Sequence, residues 1–335
     1  MIRFKAHSPF AAFFLVALAV IVFSAAGCQQ QTGPPDKITI AYTTASNGIL
    51  TYIAFVKGYF TEEGLDVTPQ PHAFGKMALN AVIEGKADLG TVADTPIMFA
   101  VMGGKKITIL AVIQTSNRNE AIVARQDRGI AKPSDLKGKS IGVALGTASD
   151  FFADVFLVAH GIDRKQVNII DLKPEETAAA LSTGRVDAVS IWNPGLIQLQ
   201  KELGDKGRTF YGENLYTSTF CLAAWQDFVK QRPEAIKKVL RALIKAEAFV
   251  QQHQEESRRL VAEFIKTDKA YLDEIWGLYD YRVTLDQALL VNLEDQTRWA
   301  MKYRLTATKD MPNYLDFIYL DGLQAVKPEA VRIIR

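Results

Sequence analysis

Cysteine is scarce in this chain of 335 residues, and its scarcity limits the chemistry that the chain can carry. Only Cys28 and Cys221 are present. If Cys28 is acylated, no intramolecular disulfide can form. Cys221 lies in an apolar run at residues 220–224, and we expect it to be a buried, unreactive core residue.

The usual enzyme motifs are also absent. The chain has no Gly-x-Gly-x-x-Gly after its first predicted strand and no phosphate-binding Gly-x-x-x-x-Gly-Lys loop. It has no Gly-x-Ser-x-Gly turn either, because residues 146–150 lack the last glycine. Of the four histidines, one lies near the N-terminus and the others lack metal-ligand spacing. We therefore predict no catalytic residue, no metal ion and no cofactor.

Net charge is small, with 39 basic and 37 acidic residues. Removal of residues 1–27 takes away Arg3 and Lys5 and no acid, which leaves 37 of each kind. A neutral protein gives no reason to expect nucleic acid as a partner. The apolar run at 10–23 is shorter than the roughly 20 residues that a membrane-spanning helix needs, and no second run is long enough.

The first feature that is present is a secretory signal at residues 1–27. A basic start and the apolar run are followed by Ser24-Ala25-Ala26-Gly27 and then Cys28. This arrangement resembles a bacterial lipobox, in which the cysteine is acylated and becomes the mature N-terminus, although leucine is more usual where Ala25 stands. The alternatives are a plain signal peptide cut nearby and an uncleaved anchor. The hypothesis predicts a lipid anchor on Cys28, a tether at 28–36, and a protein in the periplasm or on the outer face of the cell membrane.

A short pattern occurs twice, at residues 78–96 and 179–194. In each copy a helix ends at a glycine, a basic residue and an aspartate follow, and a short apolar strand then leads to a polar residue and a proline. Threonine and asparagine cap helix N-termini and proline suits the first helical position, so both copies predict the same strand-to-helix junction. Two such units favour two lobes that face one ligand. The paired residues are Gly85 and Gly184, Asp88 and Asp187, Thr95-Pro96 and Asn193-Pro194.

Strands and helices alternate along the chain, which predicts an α/β protein with a mostly parallel, covered sheet. We assign residues 37–125 to the first part of lobe 1, residues 126–216 to lobe 2, and residues 217–335 to the remainder of lobe 1. Hinges are expected near 125–130 and 211–217.

The C-terminal part of the chain differs in composition. Glycine becomes rare after Tyr216, and apolar residues recur at helical spacing between 232 and 266. A strand at 218–224 should return the chain to lobe 1. The residues that follow should form a helical extension that packs on lobe 1.

Polar groups are concentrated at four places where a strand ends and a helix follows, which is where ligands bind in open α/β sheets. Helix N-termini there offer unpaired N–H groups and a partial positive charge, both suited to an anion. Thr147, Ala148 and Ser149 form the best predicted anion cradle; the alternative is a simple N-cap, which needs only one of the two hydroxyls. The predicted ligand-binding residues are Thr44, Ser46, Asn47, Asp94, Thr95, Glu120, Thr147, Ala148, Ser149, Trp192, Asn193 and Ser218.

Individual roles differ among these candidates. Trp192 ends an interior strand and is expected to cover the apolar part of a ligand. Asp94 or Glu120 would receive a polar or cationic group. Asp150, in the first turn of a helix, is more simply explained as a capping or solvated residue, and Arg118 as a solvated loop residue.

In the order and spacing of its motifs, the chain resembles the periplasmic binding proteins of the nitrate/sulfonate/taurine/bicarbonate ABC-importer family. This resemblance implies a two-lobed periplasmic binding protein fold of type II, with ligand loops at the four junctions and around Ser218. The residue after Trp192 is usually an aspartate in that family, and sulfonate binders often have serine where Ala148 stands. The motifs that carry the resemblance are Lys57-Gly58-Tyr59-Phe60, Glu63-Gly64-Leu65, Gly85 to Asp88, Asp94-Thr95-Pro96, Asp135-Leu136-Lys137-Gly138-Lys139, Gly146-Thr147-Ala148-Ser149, Gly184 to Asp187 and Trp192-Asn193-Pro194.

The resemblance implies a monomeric receptor that closes on a small organic anion or zwitterion, such as a sulfonate or taurine, and docks on a membrane permease. One alternative is a receptor for a pyrimidine or another heteroaromatic, on which Trp192 or Tyr42 would stack. A second is an enzyme on the same fold, against which the secretion signal and the missing cysteine cluster argue. A third is a sensor lobe that reports to a signalling partner.

Overall fold

The structure is a computed structural model that describes residues 34–334. The predicted signal at 1–27, Cys28 with its predicted acylation, and most of the predicted tether lie outside the described residues. Within residues 34–334, none of the helices has the length and apolar character needed to cross a membrane.

The strands, numbered along the described chain, form two five-stranded sheets and one short pair. They are β1 Asp36–Thr43, β2 Leu65–His72, β3 Leu89–Ala93, β4 Ile107–Ser116, β5 Glu120–Arg125, β6 Ser140–Val143, β7 Asn168–Asp171, β8 Ala188–Trp192, β9 Gly207–Tyr211, β10 Ser218–Trp225, β11 Leu285–Asp286 and β12 Val331–Arg332. The first sheet has the order β2-β1-β3-β10-β4, and the second has the order β7-β6-β8-β5-β9.

The α-helices fall between the strands and continue into a C-terminal group. They are α1 Ile49–Val56, α2 Tyr59–Glu62, α3 Gly75–Ile83, α4 Asp94–Met102, α5 Ala148–Ala159, α6 Thr177–Ser182, α7 Gly195–Leu203, α8 Gln226–Gln231, α9 Pro233–Gln252, α10 Gln254–Ile265, α11 Lys269–Ile275, α12 Gln287–Lys302 and α13 Leu320–Val326.

Both sheets are mixed: in each, four strands run in one direction, as the prediction of a mostly parallel sheet requires, and one strand runs against them. Strand β1 runs parallel to β2 and β3, whereas β10 is antiparallel to β3 and β4. The second sheet repeats this pattern, with β5 antiparallel to β8 and β9. The cause is chain exchange: β5 and β10 each enter a sheet from the other lobe and run against its parallel strands.

This exchange also moves the first crossing. The predicted boundary at 125 puts β5 in lobe 1, but β5 pairs with β8 and β9 and belongs to the second sheet. The chain therefore crosses at 117–119 and returns at 212–217, so the first hinge region is expected before β5, not at 125–130. Lobe 1 comprises residues 36–116 and 218–334, and lobe 2 comprises residues 120–211. Strand β9 was not predicted.

The repeated turn is built in the same way in both lobes. Gly85 and Gly184 adopt the left-handed conformation, with φ of 70° and 77°, which glycine reaches without a steric cost. An Asp88 Oδ2 atom accepts the N–H of Thr39 at 2.7 Å, and the equivalent Asp187 Oδ2 accepts the N–H of Ser140 at 2.9 Å. Each aspartate thus ties its strand to the neighbouring parallel strand.

The helix caps predicted at the end of each copy are wrong. Helix α4 begins at Asp94 after Ala93, two residues before Pro96, and helix α7 begins at Gly195 after Pro194. In lobe 1 the carboxylate of Asp94 accepts the N–H of Thr95 at 2.8 Å, which satisfies a donor of the first turn. In lobe 2 the side chain of Asn193 instead donates to the hydroxyl of Tyr279, a residue far along the chain.

The C-terminal helices pack on lobe 1, as predicted. Helix α9 buries Val239, Leu243, Ala246 and Val250 on one face, as their helical spacing requires. Asp36 at the start of β1 accepts hydrogen bonds from Arg232 at 2.7 Å and Lys238 at 2.6 Å, which ties α9 to the first strand.

Cys221 lies on the interior strand β10 and is fully buried, which confirms its predicted position in the core. Burial raises the pKa of its thiol well above the ordinary value, so the reactive thiolate is disfavoured.

Candidate functional site

A small cavity of about 40 Å³ lies between the two lobes, at the ends of their strands. Space of this size admits a few water molecules. A larger ligand therefore requires the lobes to move apart. The lining residues are Thr43, Ala45, Asn47, Phe74, Gly75, Lys76, Ala93, Pro96, Asn119, Glu120, Thr147, Ala148, Trp192, Ser218 and Phe220.

Three helices begin at this cavity. Gly75 starts α3, Ala93 precedes α4, and Ala148 starts α5. The first N–H groups of a helix have no intrahelical partner and carry partial positive charge, so the N-termini of α3 and α5 favour an anion. At the start of α4 the carboxylate of Asp94 already accepts the Thr95 N–H. Gly75 allows this approach because a Cβ there would lie only 3.0 Å from the Cα of Val92.

Lys76 adds a full positive charge at the same place. Its Nζ donates to the carbonyl oxygen of Leu145 at 3.1 Å, and Leu145 is the second residue after β6 in lobe 2. Lys76 therefore lies where the two lobes meet and contacts the loop that leads into α5. The sequence interpretation missed it, because a lysine in the first turn of a helix gives no signal of its own.

Only part of the predicted anion cradle faces the cavity. Thr147 and Ala148 line it, whereas Ser149 is fully buried and does not. The Thr147 hydroxyl donates to the carbonyl of Ala144 at 2.7 Å and lies 3.1 Å from the Ser149 hydroxyl. The side chain of Thr147, although it sits at the N-cap position, makes no capping hydrogen bond.

Glu120 is the acid that faces the cavity. It is only 4 % exposed, and its Oε1 accepts hydrogen bonds from Asn119 Nδ2 at 2.7 Å and Ser218 Oγ at 3.1 Å. Burial raises the pKa of Glu120 to about 7, and the nearby charge of Asp94 contributes to the rise. The cavity thus has a carboxyl group that titrates near neutral pH.

Asp94 was predicted beside Glu120, but it does not line the cavity. Its Oδ1 accepts the hydroxyl of Tyr216 at 2.7 Å, and Tyr216 lies in the second crossing. Burial raises the pKa of Asp94 to about 6, while these hydrogen bonds oppose the rise. Thr95 is buried next to it and is likewise absent from the lining.

Aromatic side chains form the apolar part of the lining. Trp192 and Phe74 come from lobe 2 and lobe 1, and Phe220 comes from the return strand. Tyr42 does not line the cavity; it packs in an aromatic cluster with Tyr52 and Phe264.

The remaining predicted residues divide between the cavity and the core. Asn47 and Ser218 line the cavity. Thr44 is exposed and donates to the carbonyl of His72, whereas Ser46 is buried 3.0 Å from the Tyr271 hydroxyl. Asn193 is fully buried and donates to Tyr279 at 3.3 Å. For both buried residues, the partner comes from the C-terminal extension.

Besides the Lys76 contact, helix α5 meets lobe 1 at a cluster of buried acids. Its Asp150 and Asp154 share one guanidinium nitrogen of Arg164, at 3.0 and 2.5 Å. The indole N–H of Trp299, on α12 of lobe 1, donates to the same oxygen of Asp154. Burial raises the pKa of both aspartates, and Arg164 opposes that effect.

Two further observations bear on what else the described residues can bind. Residues 34–334 contain no group of three or more His, Cys, Asp or Glu side chains suited to a metal ion. A larger cavity, about 610 Å³, lies in the C-terminal region and shares no lining residue with the cavity between the lobes. Its wall includes Glu247 and Lys327, which are paired with each other at 2.7 Å.

The chain is similar in sequence to known binding proteins. The family model described as "NMT1/THI5 like" matches residues 45–257, more than half of the chain. The taurine-binding periplasmic protein of Escherichia coli (strain K12) is 26% identical over 237 residues, which cover 70% of each chain.

Solved structures of low sequence identity share the fold. An alkanesulfonate-binding protein from Xanthomonas axonopodis pv. citri, bound to MOPS, superposes with a TM-score of 0.75 at 19% identity and covers 86% of this chain and 99% of its own. The periplasmic nitrate-binding protein of Synechocystis PCC 6803 superposes with a TM-score of 0.68 at 15% identity, with coverage of 88% and 89%. These likenesses confirm the predicted two-lobed periplasmic binding protein fold.

Proposed function

The chain belongs to the NMT1/THI5-like family, and we propose that it is the substrate-binding component of an ABC importer that takes up a small organic anion or zwitterion. The observation that carries the proposal is the composition of one cavity. Lys76 and the N-termini of α3 and α5 supply positive charge, and the buried Glu120 lies on the wall of the same cavity.

A ligand with a sulfonate at one end and an ammonium at the other suits this arrangement. The sulfonate would bind Lys76 and the N–H groups at the start of α3 and α5. The ammonium would bind the carboxylate of Glu120, and Trp192 would cover the short apolar link between the two. The taurine-binding relative supports this ligand class.

The cellular setting follows from the N-terminal residues. Acylation of Cys28 would hold the protein on the outer face of a membrane, within reach of a permease, and the folded part would act as a monomer. Opening at the crossings 117–119 and 212–217 would admit the ligand, because the free volume of about 40 Å³ is too small for taurine to enter without movement.

A heteroaromatic ligand is the second candidate, and one observation favours it. Phe74, Trp192 and Phe220 all line the cavity and offer faces on which a ring stacks. Lys76 gives no advantage to a neutral ring, so a preference for pyrimidines over sulfonates in a binding assay would support this candidate instead.

The proposal is tested by binding assays on the chain that begins at Gln29. The panel contains taurine, alkanesulfonates, nitrate, bicarbonate, small carboxylates and pyrimidines. A ligand at about 100 times its Kd should stabilise the protein by about 2.7 kcal/mol, which a thermal shift detects.

The matched variants are Lys76→Gln and Lys86→Gln. Lys86 is an exposed lysine that pairs with Glu84 in the turn after α3, away from the cavity. We expect Lys76→Gln to weaken binding of an anionic ligand at least tenfold, because a charge-assisted hydrogen bond is lost, and Lys86→Gln to leave it unchanged. Equal affinity in the two variants would refute the assignment of the site.

A further inference from the structure

The hydroxyl of Tyr279 lies between two buried asparagines. It donates to Asn119 Oδ1 at 2.7 Å and accepts from Asn193 Nδ2 at 3.3 Å. The three side chains come from the C-terminal extension, the first crossing and the end of β8, and all three are buried. Tyr279 also lines the 610 Å³ cavity, so it stands between that cavity and the Asn119 wall of the ligand cavity.

The direction of these hydrogen bonds is mutually consistent. An asparagine amide has an acceptor end and a donor end, and a phenol has a single proton to give. Because the Asn193 amide donates to Tyr279, the phenol proton is free to point at Asn119 Oδ1. The oxygen end of Asn119 is thereby held toward Tyr279, and its Nδ2 donates to Glu120 Oε1 at 2.7 Å.

This chain of contacts ends at one oxygen of Glu120. The side-chain donors of Asn119 and Ser218 both bind Oε1. Among residues 34–334, the side-chain hydrogen bonds to Glu120 all go to Oε1, and the backbone N–H of Glu120 itself also interacts with the carboxylate. Because Glu120 lines the cavity, a ligand cation would meet Oε2.

We propose that Tyr279 is a positioning residue of the ligand site, which orients the Asn119 amide so that Glu120 presents Oε2 to a cationic group of the ligand. The inference rests on the proposed function, since it concerns the cationic end of the same ligand. It also gives Asn193 a role: this residue holds Tyr279 and does not touch the ligand.

Loss of the phenol hydroxyl changes the charge balance at Glu120. Without it, Asn119 can rotate and turn its carbonyl oxygen toward the carboxylate, which favours the protonated acid. The other ionisable groups near Glu120 remain in place: Asp94 at the start of α4, Tyr216 in the second crossing and Lys76 on the cavity wall. Ionisation of Glu120, and with it binding of a ligand ammonium, therefore moves to higher pH.

The test compares Tyr279→Phe with Tyr281→Phe in the full-length chain. Tyr281 is a matched control: its ring lies 6.0 Å from that of Tyr279, it is similarly buried, and its hydroxyl has no partner among the described residues. Calorimetry measures the affinity of taurine and of ethanesulfonate, which lacks the ammonium, at several pH values around 7.

For Tyr279→Phe we expect taurine affinity at neutral pH to fall about tenfold and the midpoint of its pH profile to rise by about one unit, since one hydrogen bond of roughly 1.4 kcal/mol is lost. Ethanesulfonate affinity should change less than about twofold, and Tyr281→Phe should match the unmodified protein for both ligands. Asn193→Leu, which removes the amide that holds Tyr279, should shift the taurine profile in the same direction.

An unshifted taurine profile in Tyr279→Phe would overturn the inference, as would an equal loss of both ligands, which indicates general damage to the cleft. These outcomes are distinct from failure of the proposed function. That failure would appear as an unmodified protein that binds neither ligand, and the inference would fall with it.

Discussion

The two lobes are variations on one design, and the comparison separates what holds the fold from what binds. In lobe 1 the order β2-β1-β3 precedes the exchanged strand β10, and in lobe 2 the order β7-β6-β8 precedes the exchanged strand β5. The glycine and aspartate of the turn before β3 and β8 make the same contacts in both. The shared features therefore belong to the scaffold.

The loops after the equivalent strands β1 and β6 are packed differently. The loop after β1 is filled from within, because the Tyr52 hydroxyl lies against the carbonyl oxygens of Thr43, Ala45 and Asn47. The loop after β6 has no such plug, and Thr147 and Ala148 turn the N-terminus of α5 toward the cavity. Both loops thus line the cavity, but the loop of lobe 1 is in addition packed from within by Tyr52.

The buried acids differ in the charge of their hydrogen-bond partners. Asp150 and Asp154 of lobe 2 share the guanidinium of Arg164. For Asp94 and Glu120, by contrast, the hydrogen-bond partners are neutral groups, and burial raises their pKa values to about 6 and about 7. Of these four acids, Glu120 alone lines the cavity, and within residues 34–334 it has no cationic partner that would compete with a cationic ligand.

The largest expected effect is a pH dependence of the ligand-free protein. Between their ordinary pKa values and the raised ones, Asp94 and Glu120 hold protons in the folded state that the unfolded state releases, so stability falls as pH rises through about 6 to 7. Glu120→Gln should remove the upper part of this fall and be more stable by about 3 kcal/mol near pH 8. Urea unfolding at several pH values in this range measures the free energy of unfolding. If this free energy fell as steeply with pH in Glu120→Gln as in the unmodified protein, the raised pKa assigned to Glu120 would be contradicted.

The next largest effect is expected from substitutions that disrupt the shared turn in each lobe. Asp88→Ala should cost about 2 kcal/mol, because a charged acceptor of the Thr39 N–H is lost. Asp187→Ala should cost about 3 kcal/mol, because Asp187 Oδ2 also accepts the hydroxyl of Ser140, at 2.7 Å. Denaturant titration of both variants tests whether the two aspartates have equivalent roles. A loss of stability in only one of the two variants would disprove this.

The contact between α12 and α5 predicts a smaller effect on binding. Trp299→Phe keeps an aromatic ring against Phe151 but removes the donor to Asp154. We expect the closed arrangement to weaken by about 1 kcal/mol and ligand affinity to fall about fivefold. X-ray scattering of the ligand-free variant should show a larger radius of gyration, and an identical scattering curve would show that the contact does not govern closure.

The smallest effect compares the two turn glycines. Gly85→Ala should cost about 1 kcal/mol from the left-handed conformation alone, since a Cβ there meets no atom within 4 Å. Gly184→Ala should cost more, because its Cβ would lie 2.1 Å from the Nη2 of Arg128 and displace that side chain. Thermal unfolding of the pair tests the order, which equal losses would contradict.

Local patterns explain which features the sequence predicts. The alternation of elements, the repeated turn, the return strand and the apolar face of α9 all depend on neighbours within a few residues. The roles of Asp94, Ser46 and Asn193 could not be found in this way, because their partners Tyr216, Tyr271 and Tyr279 come from distant parts of the chain. Lys76 has no local signature, since its importance depends on the loop of the other lobe.

The most direct test of the account is calorimetric titration with taurine and ethanesulfonate at about pH 6 and about pH 8, on either side of the raised pKa of Glu120. Both ligands keep their charges over this range, so a change reports the protein. The account predicts that taurine binds more tightly at the higher pH, where ionised Glu120 meets the ammonium, and that ethanesulfonate binds more weakly there. Affinities that change in the same direction for both ligands would contradict a cavity with an anion-binding end and a cation-binding acid.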